Sequence, residues 1–394
     1  MNITLNYPGK LTTAEIMAKI PDVKLARQDE VNSHNKLILG DNLSVMKALF
    51  SSLLGKIDLV YIDPPFATNN VFLMDDDRAN TISRNLNSRM AYSDTLAGAE
   101  YLEFIRQRLI LLRELMSEKG SMYLHIDYKI GHYVKILMDE VFGVKNFRND
   151  ISRIKCNPKN FKRRAFGNIK DMVLLYSKTD SYIWNEPHEN YSDADAKKLY
   201  PKIDAQGRRY TTIPLHAPGE TINGASGEKF KGISPPKGRH WRSSPEELEK
   251  LDQQNLIEWS ATGVPRRKIY LDSMPGKRMQ DIWEFKDPQY PVYPTEKNLK
   301  MLELIIRTSS LPESRVLDCF CGSGSTLVAA NNTDRNWIGI DSSKEAILVA
   351  QEKLQKESIL GIKDYEFLIA VDGRNDEQLI CKPASSKWKS VIGH

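Results

Sequence analysis

The chain is poor in cysteine. Its 394 residues include four, Cys156, Cys319, Cys321 and Cys381, which form neither a CxxC pair nor a set flanked by histidines. That spacing offers no disulfide framework and no zinc site, and it favours a reducing cytoplasm. Cys319 and Cys321 stand two apart in a glycine-rich turn, where small-residue packing is the preferred reading and metal ligation the lesser one. Long apolar runs are missing too. No stretch qualifies as a membrane span, and the N-terminus lacks a basic-then-apolar export signal. Charge is barely one-sided, with 56 Lys and Arg against 51 Asp and Glu for a net +5. Such a balance suits a polyanionic partner without requiring one. A soluble cytoplasmic protein with no metal is the expectation.

What is present centres on residues 56–66, KIDLVYIDPPF. Ile57, Leu59, Val60, Tyr61 and Ile62 form a short apolar run typical of a buried strand, and two prolines then stop it. Pro64 and Pro65 fix φ near −65° and donate no N–H. The Asp63 carboxylate and the Pro64 carbonyl become acceptors on a stiff support, with the Phe66 ring beside them. A planar heterocycle with an exocyclic amino group needs two such acceptors and one stacking face. The competing reading is a proline-rich turn with a surface aspartate.

A second stretch, residues 315–326, RVLDCFCGSGST, is a short strand running into Asp318 and a turn with Gly322 and Gly324, after which a helix opens. Such a turn lets a ligand approach the backbone, and its N–H groups favour a carboxylate. Residues 336–341, NWIGID, then form a strand ending in Asp341, where nucleotide-binding α/β units place a carboxylate on ribose hydroxyls.

With these motifs the chain resembles the S-adenosylmethionine-dependent DNA amino-methyltransferases, which methylate N6 of adenine or N4 of cytosine. The resemblance covers most of residues 36–350. Asp63-Pro64-Pro65-Phe66 matches the family's catalytic (D/N/S)PP(Y/F) tetrapeptide, and residues 318–326 match its DPFxGSGTT-like cofactor loop. The catalytic motif comes first, as in the circularly permuted β group. The resemblance implies a Rossmann-like α/β sheet, mostly parallel with helices on both faces, plus an inserted DNA-recognition domain. It places S-adenosylmethionine against Asp318, Phe320, Gly322, Ser323, Gly324, Thr326 and Asp341. It also places Asp41, at the end of the KLILGD strand, near the cofactor's adenine. An N-cap role for Asp41 is compatible with that.

The chain then divides into an extension (1–34), a catalytic half (35–178), a target-recognition region (179–290) and a cofactor half with a tail (291–394). The extension holds a short helix over residues 13–20. Residues 67–98 are polar, without apolar periodicity, and suggest a mobile lid or a disordered insertion; the resemblance implies a loop here that closes over the target base. Residues 100–117 and 131–141 read as amphipathic helices, and 121–126 and 172–177 as strands. His125 reads as a scaffold residue.

The recognition region interleaves basic and aromatic residues, a mixture that suits phosphates and base edges, with a solvated basic surface as the rival reading. Arg239, Trp241, Arg242, Arg266, Arg267 and Lys268 are its candidate DNA contacts. GRHWRSSPEELEKL resembles the adenine-specific members. Residues 293–298, YPTEKN, resemble the family's HPTxKP segment and add Thr295 and Lys297 to the cofactor contacts; Tyr293 replaces His and Asn298 replaces Pro. Asp63 leans toward adenine in family terms, while cytosine N4 stays open.

The function expected is site-specific methylation of adenine N6 in duplex DNA, with the base rotated out of the helix. Duplex DNA is the partner; the resemblance also admits a homodimer and a cognate restriction endonuclease. An RNA or protein methyltransferase and a non-catalytic recognition subunit are the rivals.

Overall fold

Strands buried on both faces read as nearly unbroken apolar runs, and such runs form the centre of this fold. The computed structural model describes residues 4–65, 71–74, 79–80, 89–93, 98–158, 162, 164–221, 223–289, 296–357 and 364–373. Two compact units result, Met1–Glu186 with Gln280–His394, and Pro187–Met279.

The larger unit contains a ten-stranded sheet. Its strands are β1 (Val23–Arg27), β2 (Asn35–Leu39), β3 (Ile57–Ile62), β4 (Met116–Ile126), β5 (Phe147–Ile154), β6 (Lys170–Ser177), β7 (Ile282–Trp283), β8 (Arg315–Asp318), β9 (Asn336–Asp341) and β10 (Tyr365–Asp372). The order across the sheet is β1-β10-β2-β9-β8-β3-β4-β6-β5-β7. From β10 to β4 every neighbour is parallel. β1 pairs antiparallel with β10, and β6 runs antiparallel to both β4 and β5.

Helices cover both faces, as period-2 alternation requires. Val60, Ile62, Met122 and Leu124 pack in a core with Ile16 of α1 (Thr13–Lys19), Met46 of α2 (Asn42–Ala48), Leu109 of α3 (Gly98–Leu115) and Leu137 of α4 (Tyr128–Phe142). Tyr123, on the opposite face of β4, bonds through its hydroxyl to Ser309 of α5 (Leu299–Ser309) at 2.8 Å. Each fully buried Leu or Ile here contributes about 1.5–3 kcal/mol. Local signals set the helix starts. Thr12 and Glu15 form a capping box on α1, and Asp41 and Asp127 cap α2 and α4.

Several expectations shift. Met116 pairs with Ile57 as strand, so the helix expected over 100–117 ends at Leu115. The extension is not separate, because β1 extends the sheet at β10. β5 escapes a pattern search because its buried positions include Arg153, tolerated by ion pairs rather than by apolarity. Residues 71–74, 79–80 and 89–93 form a small three-stranded antiparallel sheet, so the 67–98 segment contains β-structure where none was expected. Among the described residues no helix is long and apolar enough to cross a membrane.

The smaller unit contains a four-stranded antiparallel sheet in the order Lys202–Ile203, Arg209–Pro214, Pro265–Tyr270, Ile257–Trp259. Its core is Leu215, Phe230, Trp241, Leu248 and Ile257. Residues 179–186 and 280–290, expected in the recognition region, belong to the larger unit. Asn185, for instance, donates to the Arg307 and Ser310 carbonyls at 2.8 and 3.0 Å.

Candidate active site

Strand order reverses between β8 and β3. From β8 the chain passes through α6 (Ser325–Asn331) to β9 on one side; from β3 it passes through α3 to β4 on the other. In open α/β sheets such a reversal leaves a crevice at the carboxyl ends of the strands. Register fixes the pairing, Val316 beside Leu59 and Leu317 beside Val60. Asp63 and Asp318, about 250 residues apart in sequence, therefore end neighbouring parallel strands. One cleft of about 380 Å³, open mouth included, is lined by Tyr61, Asp63, Lys297, Asp318, Phe320 and residues 321–323, among others.

On the β8 side the loop is held from within. Asp318 is fully buried, accepts from the Phe320 N–H at 3.0 Å, and is bonded by the Thr326 side chain. Burial pushes its pKa up to about 7 against these bonds. Gly322 adopts φ +48° with nothing within 4 Å of where a Cβ would stand, so the turn presents bare backbone. Gly324, at φ +78°, packs so closely that a Cβ would lie 2.9 Å from the Ala350 Cβ. The Asp341 carboxylate accepts from the Gly322 and Ser343 N–H groups, both at 2.9 Å. Burial raises its pKa while these bonds oppose the shift. Lys353 donates to Ser323 at 3.0 Å and to Glu296 at 2.5 Å, tying the turn to the segment before α5.

Asp41 caps α2 by accepting from Ser44 at 3.0 Å and meets Arg108 at 3.4 Å. Its neighbour Asn42 donates to the Cys319 carbonyl at 2.7 Å. Arg108 lies 3.5 Å over the Phe104 ring, which leans on Phe320 at 6.0 Å. These residues fit an elongated, partly apolar ligand carrying amine and hydroxyl groups, because bare backbone, an aromatic face and carboxylates surround one turn.

On the β3 side the two prolines follow the strand as expected. The Asp63 Oδ2 pairs with Lys297 Nζ at 2.6 Å, with both side chains largely buried. The Asp63 Oδ1 is buried and has no hydrogen-bond partner among the described residues. Lys297, expected against the cofactor, is thus brought to the tetrapeptide. Phe66 and Thr295 lie outside the described residues.

Near Asp63 is a polar chain centred on His125, the residue read as scaffold, with two partners, Tyr61 and Asp171, that the sequence did not point to. The Tyr61 hydroxyl meets His125 Nδ1 at 3.0 Å, and His125 Nε2 meets Asp171 Oδ2 at 3.2 Å. Lys155 bonds Asp171 Oδ1 at 2.6 Å, and Arg153 approaches the other oxygen at 3.8 Å. Burial alone would raise the Asp171 pKa, but the bonds from His125 and Lys155 outweigh it and hold the carboxyl below its usual range. Burial, aided by Lys297, lowers that of His125. An ionised Asp171 accepts from His125 Nε2–H, so Nδ1 of the neutral ring accepts the Tyr61 proton. The sequence signal was three buried polar residues on central strands.

In the smaller unit Arg239, Arg242 and Arg267 are exposed. Arg266 is spent in part on Thr212, donating to its Oγ1 at 3.0 Å and its carbonyl at 2.8 Å. Lys268 lies 5.6 Å from the centre of the Tyr210 ring. Trp241 must be withdrawn from the expected DNA contacts. It is 1 % exposed, packs in the core of that unit, and donates its indole N–H to the Glu228 carbonyl. Among the described residues no group of three His, Cys, Asp or Glu could hold a metal ion.

The sequence is similar to those of known DNA methyltransferases. The DNA methylase family model for N6 and N4 enzymes matches residues 57–352. The type II methyltransferase M.EcaI of Enterobacter cloacae is 41% identical over 372 residues, 91% of this chain and 78% of that protein. The StyLTI Mod subunit, a type III restriction-modification enzyme of Salmonella typhimurium, is 26% identical over 80% of this chain, which spans 53% of that subunit. Among solved structures, the M1.HpyAVI–SAM complex aligns over 81% of this chain and 99% of its own, at 19% identity and a TM-score of 0.42. The chain belongs to the N6/N4 DNA methylase family, the S-adenosylmethionine-dependent methyltransferases of DNA.

Proposed function

We propose that this protein methylates N6 of adenine at a specific site in double-stranded DNA, as the modification enzyme of a restriction-modification system. The observation that carries the reading is the Asp63 Oδ1, a buried acceptor without a partner among the described residues, beside the glycine turn in one cleft. An unsatisfied buried acceptor costs about 1–3 kcal/mol, a cost that a substrate N–H would relieve.

Asp41, Phe320, Gly322, Ser323, Gly324 and Asp341 would hold S-adenosylmethionine, with Asp318 and Thr326 shaping the loop. The cofactor supplies an electrophilic methyl group on a sulfonium. An aromatic amine is a poor nucleophile because its lone pair is delocalised into the ring. Asp63 and the Pro64 carbonyl accept its two hydrogens and favour a pyramidal nitrogen with a localised lone pair. Orientation and electrostatics then supply most of the acceleration. Within a duplex that nitrogen is inaccessible, so the nucleotide is rotated out at about a few kcal/mol. Stacking on Phe66 would return roughly 1–3 kcal/mol.

Arg239, Arg242, Arg266, Arg267 and Lys268 are the candidate phosphate and base contacts. Methylation-sensitive long-read sequencing of DNA from cells expressing the protein tests base and motif together. N6-methyladenine in one short motif is the expected outcome. N4-methylcytosine there would overturn the choice of base, and unmodified DNA the whole reading.

A further inference from the structure

We propose that Lys297 is a positioning residue for methyl transfer: it occupies Oδ2 of Asp63 and thereby leaves Oδ1 as the one acceptor open to the target amine. The inference rests on the methyltransferase reading above and assigns Lys297 to the amine rather than to the cofactor.

Three observations carry it. The Lys297–Asp63 pair is short, 2.6 Å, and both side chains are at most 14% exposed, so solvent does not compete for either group. The other carboxylate oxygen has no partner among the described residues although it is buried. A hydroxyl of the same cleft is directed elsewhere. Tyr61 lies two residues before Asp63, on the same face of the strand, and lines the same cleft. Its single O–H goes to His125 Nδ1 at 3.0 Å, and His125 is fixed as an acceptor there because its Nε2 serves Asp171. A cation therefore saturates one oxygen while a buried Tyr-His-Asp chain withdraws the competing donor from the other.

The consequence is orientational. A carboxylate with two equivalent free oxygens can turn about its last torsion and accept in either direction; one pinned by an ammonium cannot. Preorganised acceptors act without reorganising during the reaction, and a misplacement of about 1 Å in such a site costs about 100-fold in rate.

Lys297→Met in the full chain tests this, with Lys297→Arg as the variant that keeps the cation. Methyl incorporation from tritiated S-adenosylmethionine into unmethylated plasmid DNA gives kcat, calorimetry without DNA gives the cofactor Kd, and thermal melting reports folding. Lys297→Met should lose about 100-fold in kcat while the cofactor Kd changes less than about threefold; Lys297→Arg should recover most of the loss. The split between kcat and cofactor Kd, together with rescue by Lys297→Arg, is the readout that a merely structural role would not move. A cofactor Kd weakened tenfold or more with kcat unchanged would return Lys297 to the cofactor and overturn the inference. So would a Lys297→Met variant with the kcat of wild type. Failure of the wild type to methylate DNA would instead sink the parent reading, so the two failures are distinguishable.

Discussion

Asp63→Asn replaces one acceptor oxygen by an NH₂ donor at nearly constant volume, and the surroundings decide which way the amide turns. Lys297 Nζ, 2.6 Å from Oδ2 in the native site, has only donors to offer, so the amide oxygen should face it. That places the NH₂ where Oδ1 stands, donor against the two donors of the target amine. Losing one preorganised electrostatic contact costs about 2.7–4 kcal/mol, which is about 10²–10³-fold in kcat. Stability also falls, because breaking a buried pair leaves an uncompensated charge worth about 3–5 kcal/mol, offset in part here by the retained ammonium–carbonyl bond.

A double substitution sharpens the test. In Asp63→Asn with Lys297→Met nothing compels the amide oxygen to face away, so it can turn to the amine. The double variant should be about tenfold or more faster than Asp63→Asn alone, which with the about 100-fold loss expected of Lys297→Met alone is a coupling of about 4 kcal/mol. Initial rates on unmethylated plasmid DNA at saturating cofactor supply the comparison. Turnover of Asp63→Asn within tenfold of wild type, or a double variant slower than both singles, would refute the reasoning.

Four further outcomes are expected. Asp318, buried and with its pKa pushed up to about 7 from 3.8, contributes stability that is fully present below the unfolded value and lost as pH rises through about 7; Asp318→Asn should therefore lose less melting temperature than wild type between pH 5 and pH 8. Gly324→Ala forces a side chain into φ +78° with a Cβ 2.9 Å from that of Ala350, and calorimetry should register weaker cofactor binding together with about 1–3 kcal/mol of lost stability. Neutralising Arg266, Arg267 and Lys268 should weaken DNA binding and flatten the slope of log K against log salt; an unchanged slope would remove them from the interface. Trp241→Ala, by opening the core of the smaller unit, should cost about 3–5 kcal/mol, and hydrogen exchange should show lost protection in residues 187–279 first.

Sequence alone determined the features whose cause is local. Two prolines end β3 wherever that strand is placed, a glycine turn after Asp318 bares its backbone, and Thr12 with Glu15 starts a helix; each depends on neighbours in the chain. The two turns that line the cleft were legible for that reason, as were the central strands, whose burial on both faces writes itself as unbroken apolarity. Tertiary structure decided what depends on partners far away in the chain. Lys297 meets Asp63 only because α5 starts near the carboxyl end of β3, and no spacing in the sequence distinguishes a cofactor contact from an ion pair with the tetrapeptide. Trp241 carries the composition of a nucleic-acid face, yet packing made it core, since an indole among basic residues reads the same whether its ring is covered or bare. His125 and Asp171 are polar residues on strands, and only the fold shows that they bond to each other and to Tyr61 across three neighbouring strands.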